Sequence, residues 1–224
     1  MQGLATMGRI LLFLASTLLG LPQAAHAVTA EAEYKFAATV DADVLPGVPT
    51  ELWARVFWPG TASAIDGGAH PIALFLHGNH STCGYGQSPR IDDSNQYTDS
   101  GTCPSGYVVT PNHRGYDHIA RALADAGVIV VSINANRGIT GGDGTSEDAG
   151  LNMARGRLVL RHLQKLAQWN RDGGAPASLG VDLRGHLDLM KVGLMGHSRG
   201  GEGVLAALTF LNDNGSPWPA RSGL

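Results

Sequence analysis

Apolar residues follow two different periods along this chain. In 51–58, Leu52, Ala54 and Val56 alternate with Trp53, Arg55 and Phe57, the two-residue repeat of a strand with unlike faces. Residues 34–40 read as the strand before it, with Pro46, Gly47 and Pro49 supplying the turn. Ile72-Ala73-Leu74-Phe75-Leu76 and Val128-Ile129-Val130-Val131-Ser132-Ile133 are nearly unbroken apolar runs, as expected of strands covered on both faces. A helical period takes over in 116–126, where Ile119, Ala120 and Leu123 share a face and Gly127 is a natural stop. It returns between a cap expected at Ser146 and about Trp169, with Leu151, Ala154 and Leu158 on one stripe and Val159, Leu163 and Leu166 beside it. A strand is expected at 190–195. A helix should follow residue 198 and end at Asn212-Asp213-Asn214-Gly215, and 216–219 are too short to classify. Residues 78–115, rich in Gly, Ser, Asn, Asp and Pro, read as one long loop of a kind that often carries function. Strands first, then strands alternating with helices, predict an α/β fold. Its sheet would be mostly parallel, flanked by helices on both faces and edged by an antiparallel hairpin.

The first 27 residues stand apart from this pattern. Arg9 precedes an apolar run from Ile10 to Leu21, Pro22 ends it, and Ala25-His26-Ala27 has the small-x-small form of a cleavage site. The run is shorter than the roughly 20 residues a membrane span needs, so it predicts a cleaved signal peptide (1–27) and no stable membrane anchor. The mature domain, 28–224, would be secreted or periplasmic and begin near Val28. Export gives meaning to the two cysteines: Cys83 and Cys103 are expected to form a disulfide, where two free thiols or a zinc site would be the alternatives. The loop it closes would shape one wall of a cleft. At 43% hydrophobic and 16% charged residues the 224-residue chain is an ordinary globular one, and a net charge of −3 argues against nucleic acid as a partner.

Candidate chemistry centres on Gly196-His197-Ser198-Arg199-Gly200. A G-x-S-x-G between a strand and a helix puts a serine hydroxyl at the apex of a sharp turn, and glycines two before and two after it avoid collision across that turn. His77-Gly78-Asn79-His80 follows the third strand directly.

This arrangement resembles the α/β-hydrolase family over the whole mature chain. Gly-His-Ser-Arg-Gly-Gly is particularly similar to chlorophyllase-like and secreted lipase- or polyester-hydrolase-like members. The resemblance implies that Ser198 is the nucleophile of a serine esterase, attacking a small-molecule or polymeric ester to form an acyl-enzyme, with no cofactor and no metal. It implies an oxyanion hole made of the backbone N–H groups of Asn79 and Arg199. The family's acid and histidine follow the nucleophile, yet no histidine follows Ser198, and Glu202 and Asp213 are the only acids there. The chain is therefore expected to be the N-terminal part of a hydrolase, with the strand before Ser198 left at an exposed edge and poor stability in isolation.

Other readings compete at several residues. His77-Gly78 could be a turn and nothing more. The Arg199 side chain could stand beside the oxyanion, although an ion pair with Glu202 three residues on is favoured. His197 is expected to pack on the core. His80, His113 and His118 could converge on a metal only if the long loop folded back. Asp143, Glu147 and Asp148 fit a solvated helix start better than a calcium site. An inactive remnant or binding module with the same fold is the alternative to an enzyme. Nucleotide binding is disfavoured, because neither G-x-G-x-x-G nor G-x-x-x-x-G-K-[ST] occurs at the turn.

Overall fold

The computed structural model describes residues 28–85, 97, 98 and 100–222. The expected signal peptide lies outside them. Among the described residues there are ten strands: β1 (Thr29–Lys35), β2 (Thr39–Val40), β3 (Pro49–Thr50), β4 (Trp53–Thr61), β5 (Ala64–Ile65), β6 (His70–Leu76), β7 (Cys83–Tyr85), β8 (Tyr107–Val109), β9 (Ile129–Asn134) and β10 (Leu187–Gly196). Four α-helices accompany them: α1 (Asp117–Asp125), α2 (Asn152–Asp172), α3 (Arg199–Asn212) and α4 (Trp218–Ser222).

The main sheet runs β1-β4-β9-β6-β10, with β5 beside β4. β4 is antiparallel to both β1 and β9, whereas β6 is parallel to β9 and β10. Alternate side chains divide the core into two layers. Val56, Trp58, Leu74, Leu76, Val131 and Ile133 point to the side covered by Leu158, Val159 and Leu163 of α2 and Ala207 of α3. Phe57, Phe75 and Val130 point to the other side, under Ala120 and Ala124 of α1. The expected α/β architecture, with helices on both faces and an antiparallel edge, is therefore present.

Local differences have local causes. The first strand is β1, shifted five residues toward the N-terminus from 34–40, because its ladder with β4 runs from Thr29 opposite Pro59 to Lys35 opposite Trp53. Thr39 and Val40 pair separately with Pro49 and Thr50. Within 78–115 a β7–β8 hairpin and a 3₁₀ turn at Asn112–Tyr116 replace a structureless loop. The Cys83–Cys103 disulfide joins that hairpin's first strand to the approach to its second. Ser146 does not cap α2. Asp148 does, accepting hydrogen bonds from the Met153 and Ala154 N–H groups at 2.7 and 2.9 Å, while Leu151 turns the chain through a left-handed conformation (φ 56°). The tail forms α4, whose Trp218 is buried against the core. β10 ends the sheet, and Met190 on it is 86% exposed. No helix among the described residues is long and apolar enough to cross a membrane.

Candidate active site

Chain order against sheet order marks where a crevice is expected. From β6 the chain crosses one face through α1 to reach β9, then crosses the opposite face through α2 to reach β10 on the far side of β6. The connections at β6 and β10 therefore part to opposite faces, and open α/β sheets bind ligands beyond the strand ends at such a reversal. The segments emerging there are residues 77–79 after β6 and residues 197–198 after β10.

Ser198 occupies the turn between β10 and α3 with φ 54° and ψ −130°. Apart from Leu151 it is the only non-glycine residue with positive φ among the described residues. That conformation costs about 1–3 kcal/mol and persists only where its surroundings enforce it. Here the Gly200 N–H bonds the His197 carbonyl at 2.8 Å and the Gly201 N–H bonds the Ser198 carbonyl at 2.7 Å. Ser198 itself is exposed. The flanking glycines are sterically required: a Cβ on Gly196 would overlap the Gly200 carbonyl, and one on Gly200 would overlap the Leu76 carbonyl and lie 2.6 Å from that of His77.

The segment after β6 is pressed against this turn. The Leu76 carbonyl accepts hydrogen bonds from the His197 N–H at 3.2 Å and the Tyr116 hydroxyl at 3.1 Å. A Cβ on Gly78 would lie 2.9 Å from the His197 carbonyl oxygen and 3.0 Å from Ser198 Cβ. Asn79 is the next residue along this segment, and Arg199 follows Ser198 directly. Neither backbone N–H donates a hydrogen bond to another described residue. As the first residue of α3, Arg199 also lies at the helix end that favours negative charge.

His77 is fixed in one protonation state. Its Nε2 accepts the Ala135 backbone N–H at 2.9 Å, so the ring proton must sit on Nδ1, which donates to the Gly78 carbonyl at 2.8 Å. Full burial and the nearby Arg155 charge hold it well below the usual histidine range. A histidine so placed shapes the loop and takes no part in proton transfer.

Several side chains depart from expectation. Arg199 forms no ion pair with Glu202; it lies along Gly150, where a Cβ would be 3.2 Å from its guanidinium. His197 is exposed and stacks on the His80 ring at 5.6 Å between centroids, instead of packing on the core, because the turn that exposes Ser198 exposes its neighbour too. His113 is buried, held by the Asn134 amide at 2.8 Å with its ring tilted against Trp53, and His118 is exposed on α1. Among the described residues no three His, Cys, Asp or Glu side chains gather where they could hold a metal ion.

The sequence reading missed Arg155. It is fully buried on α2, and its Nη2 lies 3.3 Å from both the Asn79 Oδ1 and the Thr140 hydroxyl. Burial, then the Arg199 charge, lower its guanidinium to about 10, against the pull of Glu202 and Asp148, so it stays protonated at neutral pH. A signal was present: 151, 154, 155 and 158 follow the i, i+3, i+4, i+7 spacing of a buried stripe, which puts a charged residue on the core side.

No protein-family model matches the sequence, and no curated protein matches it either. Among solved structures the chain is distantly similar to a ferulic acid esterase from Streptomyces cinnamoneus, with 13% identity, a TM-score of 0.42 and coverage of 83% of this chain and 56% of that one. It is also similar to a CE1 ferulic acid esterase from the anaerobic fungus Anaeromyces mucronatus, with 15% identity, a TM-score of 0.35 and coverage of 77% of this chain and 50% of that one. The chain spans about half the length of these structures.

Proposed function

We propose that this protein is an exported serine hydrolase of carboxylic esters with Ser198 as its nucleophile. The observation that carries the reading is a solvent-exposed serine at positive φ, at the end of a parallel strand and against Gly78 of the neighbouring strand's loop. In the reaction Ser198 Oγ bonds to the ester carbonyl carbon, its proton passes to a base, and the carbonyl oxygen becomes an oxyanion. The N–H groups of Asn79 and Arg199 receive that charge. The intermediate then expels the alcohol, and water later releases the acid. One such donor is worth about 3–4 kcal/mol of barrier. His77 is not assigned as the base, since both its ring nitrogens are committed to Ala135 and Gly78. Export is supported by the apolar run before Ala25-His26-Ala27 and by the Cys83–Cys103 disulfide. The similarity of Gly-His-Ser-Arg-Gly-Gly to lipase- and polyester-hydrolase-like turns favours a small-molecule or polymeric ester as substrate.

Hydrolysis of p-nitrophenyl acetate by the full-length protein tests this. Turnover is expected, with at least a thousandfold loss in Ser198→Ala, a drop on the order expected for removing a serine nucleophile. Equal turnover in the variant would refute the role of Ser198.

A further inference from the structure

A buried guanidinium without a carboxylate partner is an expensive way to fill a core. Arg155 Nε and Nη1 have no hydrogen-bond partner among the described residues, so the side chain is not there to complete an ion pair. What it does touch is informative. Its Nη2 reaches Asn79 Oδ1, which also accepts the Gly141 N–H at 2.9 Å. The same nitrogen reaches the Thr140 hydroxyl, which donates to the Ala135 carbonyl at 2.8 Å. The Ala135 N–H in turn holds His77. Both side chains flanking Gly78 are thereby tied to residues 135–141, the loop after β9. On its other side the Arg155 Cβ packs on α3 so closely that a Cβ on Gly203 would lie 2.7 Å away. Arg155 therefore sits between the loop bearing Asn79 and the helix that begins at Arg199.

We infer that Arg155 is a positioning residue: by gripping the Asn79 side chain while packing against α3, it keeps the Asn79 and Arg199 backbone N–H groups in register on either side of Ser198. The inference rests on the oxyanion-hole role proposed above. It goes further by assigning the alignment of the two halves to one buried cation. The side chain contacts no substrate in this scheme and acts through Asn79.

Two readouts separate this claim from the hydrolase reading. The Gly141 amide is anchored on the Asn79 side chain, so in Arg155→Met its hydrogen exchange is expected to speed up about tenfold or more, while amides of β9 keep their wild-type protection. Turnover of p-nitrophenyl acetate by the full-length protein is expected to fall about a hundredfold in kcat with KM little changed, the mark of a misplaced transition-state donor. Asn79→Ala should give a similar loss, and the double variant no more than either alone, because both break one link. Arg155→Lys should not restore the rate, since an ammonium lacks the planar fork. If Arg155→Met does not fold, Thr140→Val, which removes one of the guanidinium's two oxygen partners, should raise Gly141 exchange by a smaller factor. Unchanged Gly141 exchange in the variant that folds, or multiplicative rate losses in the double variant, would overturn the inference. Turnover that survives Ser198→Ala would instead overturn the hydrolase reading, and Gly141 exchange would still decide the role of Arg155.

Discussion

Gly200 is the residue on which the serine turn depends most directly. A methyl group there would strike the Leu76 and His77 carbonyls, neither of which can swing aside as a flexible side chain could. Gly200→Ala is expected to lower stability by about 1–3 kcal/mol, read as a lower urea midpoint at unchanged m. It should also push Ser198 away from Gly78. An unchanged midpoint would mean that the approach is looser than described. Only part of this demand is local: Gly196 meets Gly200 within the five-residue turn, which is visible as a sequence pattern, whereas the carbonyls that exclude a side chain at Gly200 lie more than a hundred positions away. The Arg199 side chain could not be placed in the same way. Its neighbour is Gly150, some fifty positions away, whereas local spacing pointed to Glu202. Arg155 falls between these cases, since helical period marks its burial but only tertiary structure supplies Asn79 and Thr140 as partners.

Elements were legible where burial wrote a long apolar signal and obscure where pairing or turns decided. β6 and β9 are buried on both faces, and their runs declare them. β1 reads Thr-Ala-Glu-Ala-Glu-Tyr-Lys, poor in strand formers, and is held in place by its ladder with β4 and by Glu31 bridging Arg55 and Arg121. Those partners lie eighteen or more residues along the chain, out of reach of local propensity. The start of α2 shows the same limit. Ser146 has the right chemistry for a cap, but a bridge between Gly144 and Ala149 turns the chain so that Asp148 meets the free N–H groups instead. Asp148→Ala is expected to destabilise the fold by about 1 kcal/mol, up to 2, and Ser146→Ala by less than about 0.5 kcal/mol. Thermal or urea unfolding of the two variants checks this, and the reverse ranking would return the cap to Ser146. Because Arg155 is the fourth residue of α2, a frayed start should also loosen the grip on Asn79.

At the scale of the whole molecule, three histidines buried among the described residues govern how stability responds to acid. Burial holds His77, His113 and His162 below their ordinary value, and His162, which shares a 2.6 Å hydrogen bond with Tyr34, is brought to about 3. The unfolded chain takes up these protons near pH 6.5 and the folded one does not, so stability is greatest above that pH and declines below it. His162 alone should contribute a loss of about 2 kcal/mol between pH 7 and pH 5. Glu33 adds a second, more acidic phase. Burial raises its carboxyl, but hydrogen bonds from His113, Trp53 and Arg114 outweigh that and hold it at about 2. Its stabilisation is full above about pH 4.5 and is lost as pH falls from there toward 2. Urea unfolding at pH 7 and pH 5 should show the first decline, and His162→Gln should reduce it. A slope that is flat in the wild type, or unchanged in the variant, would contradict the buried, neutral state of His162.

At this same scale the α/β order was readable from the alternation of strands and helices, while the reversal at β6 that opens the crevice was not, because strand order in the sheet depends on which face each helix covers. We propose that Ser198, at that reversal, is a nucleophile served by two backbone amides. Covalent capture tests it most directly: the full-length protein is incubated with an alkyl fluorophosphonate and its peptides are mapped by mass. One adduct is expected, on the peptide carrying Ser198, formed about a hundredfold more slowly in Arg155→Met. An adduct on another residue, or equal labelling in Ser198→Ala, would contradict it.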